Sequence, residues 1–232
     1  MIFVNSMSDL FHSEVPDCFI DQVFAVMLLA NQHIYQILTK RVERMLAYLS
    51  APERKERILR QTRELLSTGG EGFSGHAFSG EDIPWPLPNV WLGASIEDKA
   101  AAEKRVHELL RAPAAVHWVS CEPLIGQVNL SDITLREGGS LDALRGIDTT
   151  SQGYSTSKLD WVVVGCESGQ QRRKLDIDWV RFLRDQCKQA ETPFFLKQLF
   201  VDGKMVGCPA LDGISWAQYP KVIGAAQEAA AA

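Results

Sequence analysis

Six short apolar runs punctuate the chain: Ile2–Asn5, Ile34–Leu38, Val90–Leu92, Val116–Ser120, Trp161–Val164 and Phe194–Leu196. Most are continuous rather than alternating, and several are rich in Val, Ile and aromatics. Strands covered on both faces, as in parallel sheets, have this composition. Between them lie stretches with helical period. Phe19, Ile20, Val23, Phe24, Met27 and Leu28 fall on one stripe. The charged stretch Arg41–Leu66 carries apolar Met45, Leu46, Leu49, Ile58, Leu65 and Leu66, and Pro52 is expected to divide it into two helices, with Ser50 as a cap. Ser95 and Asp98 resemble a capping box ahead of a helix over Lys99–Leu110. Asp176 is placed to cap a helix through Trp179, Val180, Leu183 and Cys187.

Strands alternating with helices predict an α/β fold of βα units with right-handed crossovers. A closed βα barrel has eight such units. The six runs therefore predict a partial (βα) barrel of about six parallel strand–helix units in one domain over residues 1–220. Because the chain opens almost inside a strand, an N-terminal unit is expected to be missing. An exposed gap of that kind would favour dimerisation or instability. Two stretches read as loop insertions, Ser67–Pro88 and Glu137–Lys158, the latter after a hairpin strand over Val128–Leu135; residues 221–232 read as a frayed tail.

Composition narrows the class without deciding it. The chain has 232 residues, 46% hydrophobic and 23% charged, enough apolar material for a sizeable core. A net charge of −5 argues against a dedicated nucleic-acid binder, although a local basic patch stays open. Cys18, Cys121, Cys166, Cys187 and Cys208 form no CxxC pair, so no metal-ligand set is read from them. With no secretory signal and no apolar run of membrane-spanning length, reduced thiols in a cytoplasm are expected.

Ligands of βα folds bind beyond the carboxyl ends of the strands, so the residues that follow each run are the candidates. They include Ser6, Asp9 and His12 after the first run, Lys40 after the second, and Gly93, Ser95 and Glu97 after the third. Glu122 follows the fourth, Glu167, Ser168 and Gly169 the fifth, and Lys197 the last. Carboxylates and cations on one rim can act as acid, base or ligand once neighbours shift their pKa values. Loop groups that merely cap helices or pair with one another would look the same. Glu122, between a buried-looking strand and Pro123, is the sharpest candidate, because a desolvated carboxylate needs a partner. Arg172, Arg173 and Lys174 form a short basic run that either touches phosphates or is simply solvated. No P-loop, HExxH or Gly-x-Ser-x-Gly elbow is present.

Five segments taken together carry a resemblance: Phe3-Val4-Asn5-Ser6-Met7-Ser8-Asp9-Leu10-Phe11-His12, Leu38-Thr39-Lys40-Arg41, Pro88-Asn89-Val90-Trp91-Leu92-Gly93, Val119-Ser120-Cys121-Glu122-Pro123-Leu124 and Phe194-Phe195-Leu196-Lys197-Gln198. They resemble the phage-associated three-cysteine-motif family of uncharacterised proteins. That family is itself similar to radical S-adenosylmethionine enzymes and, distantly, to spore photoproduct lyase. The likeness extends to about Pro220, and Leu211-Asp212-Gly213 and Trp216 also fit it. The resemblance implies a radical-SAM-like core in which Glu122, Glu167, Asp9 and Lys197 serve catalysis. Ser6, Lys40, Gly93, Ser95, Glu97, Ser168 and Gly169 would then hold cofactor, and no residue of this chain ligates a metal. Family members carry a further upstream segment whose three cysteines are the presumed [4Fe–4S] ligands. Without that segment no cofactor is expected here and radical chemistry is not. With it, S-adenosylmethionine and the cluster are implied, acting on a small-molecule or nucleic-acid-derived substrate away from membranes. The family has Gly-Gly-Glu-Ser where this chain has Gly165-Cys166-Glu167-Ser168, so a side chain stands where backbone access to a ligand would be open. Two other readings stay open: a partner- or nucleic-acid-binding module using the basic stretch Lys40–Arg63, and a cluster-free carboxylate enzyme with a divalent ion on Asp9, Glu97 and Glu122.

Overall fold

A computed structural model describes residues 1–68, 83–136, 138–150 and 157–221. The architecture is mixed α/β. Its main sheet has seven strands. The expected loop over Ser67–Pro88 and the expected tail lie largely outside the described residues. By contact density the chain resolves into two compact units, one centred on the first ninety-two residues and one on Gly93–Arg111 and Val116–Lys221.

In the first unit, β1 (Ile2–Val4) runs parallel to β2 (Tyr35–Thr39), in register Phe3↔Gln36. Between them α1 (Asp17–Leu29) buries Ile20, Phe24, Met27 and Leu28 of the predicted stripe, together with Ala25, whereas Phe19 of that stripe is exposed and Val23 half-buried. After β2 come α2 (Val42–Leu49) and α3 (Arg54–Thr68). Pro52 separates them, and Ser50 is the C-cap of α2, its N–H bonded to the Leu46 carbonyl at 2.9 Å. The face of α3 toward α1 is partly charged. Arg54 and Asp21 are both about 2% exposed, and their side chains meet at 2.5 Å. Asp21 also accepts from the Tyr48 hydroxyl at 2.8 Å and from Arg57 at 2.9 Å, and the Arg54 guanidinium lies 3.5 Å over the Tyr48 ring. Burying a charge without such partners costs several kcal/mol, so this network fixes which faces of α1, α2 and α3 meet. β3 (Val90–Ser95), buried along its whole length, begins here and ends in the second unit.

The second unit continues with α4 (Lys99–Arg111) and β4 (Val116–Cys121). Three short strands follow, β5 (Ile133–Thr134), β6 (Ser140–Asp142) and β7 (Ile147–Asp148), and then β8 (Trp161–Gly165), α5 (Ile177–Gln189) and β9 (Phe194–Val201). β4, β8 and β9 are successive parallel neighbours, with Val119↔Val162 and Val164↔Leu196 in register. Val119, Val162, Val164 and Leu196 are fully buried, which explains their unalternating sequence. β9 turns at Asp202 and Gly203, both left-handed (φ 47° and 80°), into antiparallel β10 (Lys204–Gly207). β11 (Ala210–Leu211) and β12 (Ile214–Ser215) form a second hairpin over Asp212 and Gly213.

Three local expectations change. Ser95 caps nothing: it lies inside β3, and Asp98 alone caps α4 by accepting from the Ala101 N–H at 2.8 Å. The strand expected over Val128–Leu135 shrinks to Ile133–Thr134. Its earlier backbone groups are taken by the Gln186 side chain, which accepts from the Leu130 N–H at 2.7 Å and donates to the Val128 carbonyl at 3.1 Å. The Glu137–Lys158 stretch, expected to be a loop, contains β6 and β7, which join β5 in a small antiparallel sheet. Leu141, Ala143 and Leu144 are fully buried there, an apolar anchor too short to stand out among the Gly and Ser around it.

Candidate active site at the strand ends

In the second unit, residues just after β4 and β8 meet two side chains of β9, and Lys197, expected just past a strand end, lies inside β9, which runs on to Val201. β4 ends in Cys121 and hands on Glu122, whose side chain is 16% exposed. One carboxylate oxygen receives the Lys197 ammonium at 2.8 Å and the other the Gln198 side-chain amide at 2.7 Å, both from β9. The Gln198 amide also donates to the Cys166 carbonyl at 3.0 Å, tying the end of β8 into the same cluster. Gly165 explains how the carboxylate fits. A Cβ there would stand 3.1 Å from the Glu122 carboxyl carbon, so any larger residue would push it away. Lys197 is about half exposed, so the pair has one wet side from which a ligand can reach it.

Glu97, just after β3, pairs with Arg105 from α4 at 2.7 Å, and the same guanidinium donates to the Ser95 carbonyl at 2.6 Å. Glu167, after β8, is gripped by Arg173: the guanidinium donates to both carboxylate oxygens and the backbone N–H to one of them, all at 2.8 Å. The Arg173 hydrogen bonds push the Glu167 carboxyl down to about 2. Beyond it, Arg172 lies 3.2 Å over the Phe200 ring and donates to the Gly169 carbonyl at 3.0 Å. Cys166 is buried beside this group, and burial pushes its thiol up.

The remaining candidates fall into three settings. Ser168 and Gly169 are exposed on the Glu167 loop, with Gly169 at φ 108°. Gly93 meets protein rather than open space, because a Cβ there would lie 2.3 Å from the Trp118 indole. Ser6, Asp9 and Lys40 belong to the first unit. Asp9 accepts from Thr39 Oγ1 at 2.8 Å, from the Phe11 and Lys40 N–H groups at 2.9 and 3.3 Å, and from Arg41 at 2.7 Å. Burial works against its charge, but these donors outweigh that and hold the carboxyl below its ordinary value. Ser6 and Lys40 are exposed, and His12 accepts from the Glu14 N–H at 3.3 Å. In the basic stretch, Arg44, Arg54 and Arg57 are committed to Asp17 and Asp21.

Sequence reasoning missed the partners more than the carboxylates. Gln198, Arg105, Arg173 and Arg41 each complete a candidate's hydrogen bonds. Gln198 had a signal, since it adjoins Lys197 directly after the last apolar run, although β9 continues through both residues to Val201. Arg105 lies eight residues beyond Glu97, and no short-range pattern marks it.

Each of Asp9, Glu97, Glu122 and Glu167 is thus neutralised by its own cation. Among the described residues no three His, Cys, Asp or Glu side chains are grouped to hold a metal ion. Cys18 and Cys208 are exposed, while Cys121, Cys166 and Cys187 are buried. No helix among the described residues is long and apolar enough to cross a membrane. No curated protein and no solved structure matches the chain. One family model matches, over residues 1–220, and the five strand-end segments described above all fall inside that span. The chain therefore belongs to the DUF5131 family, whose members are described as proteins of unknown function.

Proposed function

We propose that this chain is the cofactor- and substrate-binding core of an enzyme of the radical S-adenosylmethionine type, folded as a partial βα barrel, with its ligand at the strand carboxyl ends of the second unit. The observation that carries the reading is the Glu122–Lys197–Gln198 cluster over Gly165. It joins an acceptor and a cation at the place where βα folds bind ligands. S-Adenosylmethionine presents an α-ammonium and an α-carboxylate, and Glu122 and Lys197 supply one complementary group for each. Opening the pair to admit the ligand exchanges one ion pair for two charge-assisted contacts. The resemblance over nearly the whole chain supports the choice of cofactor, and also a phage or prophage setting in the cytoplasm.

The iron–sulfur cluster is a separate matter. The described cysteines do not fit one: three are buried, and no three ligand side chains are grouped among the described residues. No step here runs through a cluster. What the chain's own residues do is bind and orient. Glu122 and Lys197 fix the ligand's polar end, and the Glu167–Arg173 clamp holds the loop after β8 in place.

Calorimetric titration with S-adenosylmethionine tests this reading. It is run on the chain alone and on the chain preceded by a cluster-bearing segment after anaerobic reconstitution. Saturable binding to either, weakened about tenfold by Glu122→Gln through loss of a charge-assisted contact, is the expected result. Failure of both to bind sinks the proposal.

A further inference from the structure

Beside the Glu122 cluster the second unit contains a cleft of about 610 Å³, and its lining has a definite chemical character. Its lining holds three cations, Arg172, Arg173 and Lys174, against one carboxylate, Asp202, together with apolar Leu175, Leu199 and Phe200. That volume falls within the range of small-molecule sites, about 300–1,000 Å³.

The three cations are not equivalent. Arg173 is already neutralised by Glu167. Lys174 is exposed and has no ion-pair partner among the described residues. Arg172 is fixed in orientation, because its guanidinium lies 3.2 Å over the Phe200 ring and donates to the Gly169 carbonyl. Stacking of this kind leaves the second face of the guanidinium plane to meet another planar group. Its remaining N–H donors and the Lys174 ammonium suit an anion. A loose basic loop would have neither the fixed plane nor the apolar lining.

We infer that this cleft binds a phosphate-bearing ligand with a planar ring, of mononucleotide size, with the phosphate on Arg172 and Lys174 and the ring against the Arg172–Phe200 stack. The site is distinct from the Glu122–Lys197 pair. S-Adenosylmethionine carries a planar ring but no phosphate, so the two sites have separable ligands.

The test uses the intact chain and three probes by calorimetry: inorganic phosphate, ribose 5-phosphate and adenosine 5′-monophosphate. The nucleotide is expected to saturate one site and to bind more tightly than the two ringless probes, with affinity falling as salt rises. Lys174→Glu, an exposed change that leaves the fold intact, is expected to weaken nucleotide binding about tenfold or more, in line with loss of a charge-assisted contact and its replacement by a repulsive one. S-Adenosylmethionine binding in that variant should be unchanged, whereas Glu122→Gln should leave nucleotide affinity unchanged. Equal affinity for nucleotide and inorganic phosphate would overturn the ring contact. Nucleotide binding that is absent, or indifferent to Lys174→Glu, would overturn the site, whatever becomes of S-adenosylmethionine.

Discussion

Gly93→Ala separates a structural glycine from a ligand-facing one. A methyl at that position would lie 2.3, 2.6 and 2.7 Å from three atoms of the Trp118 indole. The ring cannot easily retreat. Trp118 is 3% exposed and packs on Trp161 with ring centroids 5.6 Å apart. Overpacking a dense core costs about 1–3 kcal/mol, and three contacts below 3 Å argue for the upper end. In a protein of this size about 3 kcal/mol lowers Tm by roughly 6–12 °C. Urea unfolding followed by circular dichroism measures the loss. Trp118→Leu, made in the Gly93→Ala background, should recover part of it, because the smaller side chain vacates the space and the two changes are coupled. An unchanged melt for Gly93→Ala would refute the packing argument. Loss of ligand binding in a variant that melts normally would instead mark Gly93 as a residue that contacts cofactor.

Asp21→Ala should destabilise by about 3–5 kcal/mol, because it leaves the buried Arg54 guanidinium without its nearest carboxylate; a loss below about 1 kcal/mol in denaturant titration would mean that Asp17 compensates. Of the five thiols, Cys18 and Cys208 should react with a disulfide reagent at pH 8 in the native protein, while Cys187, pushed up to about 12 by burial, and the equally buried Cys121 should react only in denaturant; five fast thiols would contradict the burial. Carbon-detected NMR should find the Glu167 carboxyl titrating near 2, not near its ordinary 4.5. Since that folded value is depressed, the clamp's contribution to stability is complete above the unfolded value and is lost as pH falls toward 2; a midpoint near 4.5 would show that Arg173 does not hold Glu167 in solution.

Part of this protein is legible in its sequence for a simple reason: buried parallel strands and one-sided helices impose local hydrophobic patterns. All six apolar runs form strands of the main sheet, and the stripe Ile20–Phe24–Met27–Leu28 is the buried face of α1. Pro52 and Asp176 mark helix ends through local stereochemistry and local hydrogen bonding. The Asp202-Gly203 and Asp212-Gly213 turns carried an equally local signal for the two hairpins, which the apolar runs on either side were too short to reinforce. What only tertiary structure decided is pairing between distant residues. Gln186 replaces a ladder across 56 residues to Leu130, Arg54 finds Asp21 across 33, and Glu122 finds Lys197 across 75. Hydrogen bonds and ion pairs act over a few ångströms and leave no period along the chain. The sequence could therefore place a carboxylate after four of the six apolar runs, but only the fold assigned each carboxylate the cation that neutralises it.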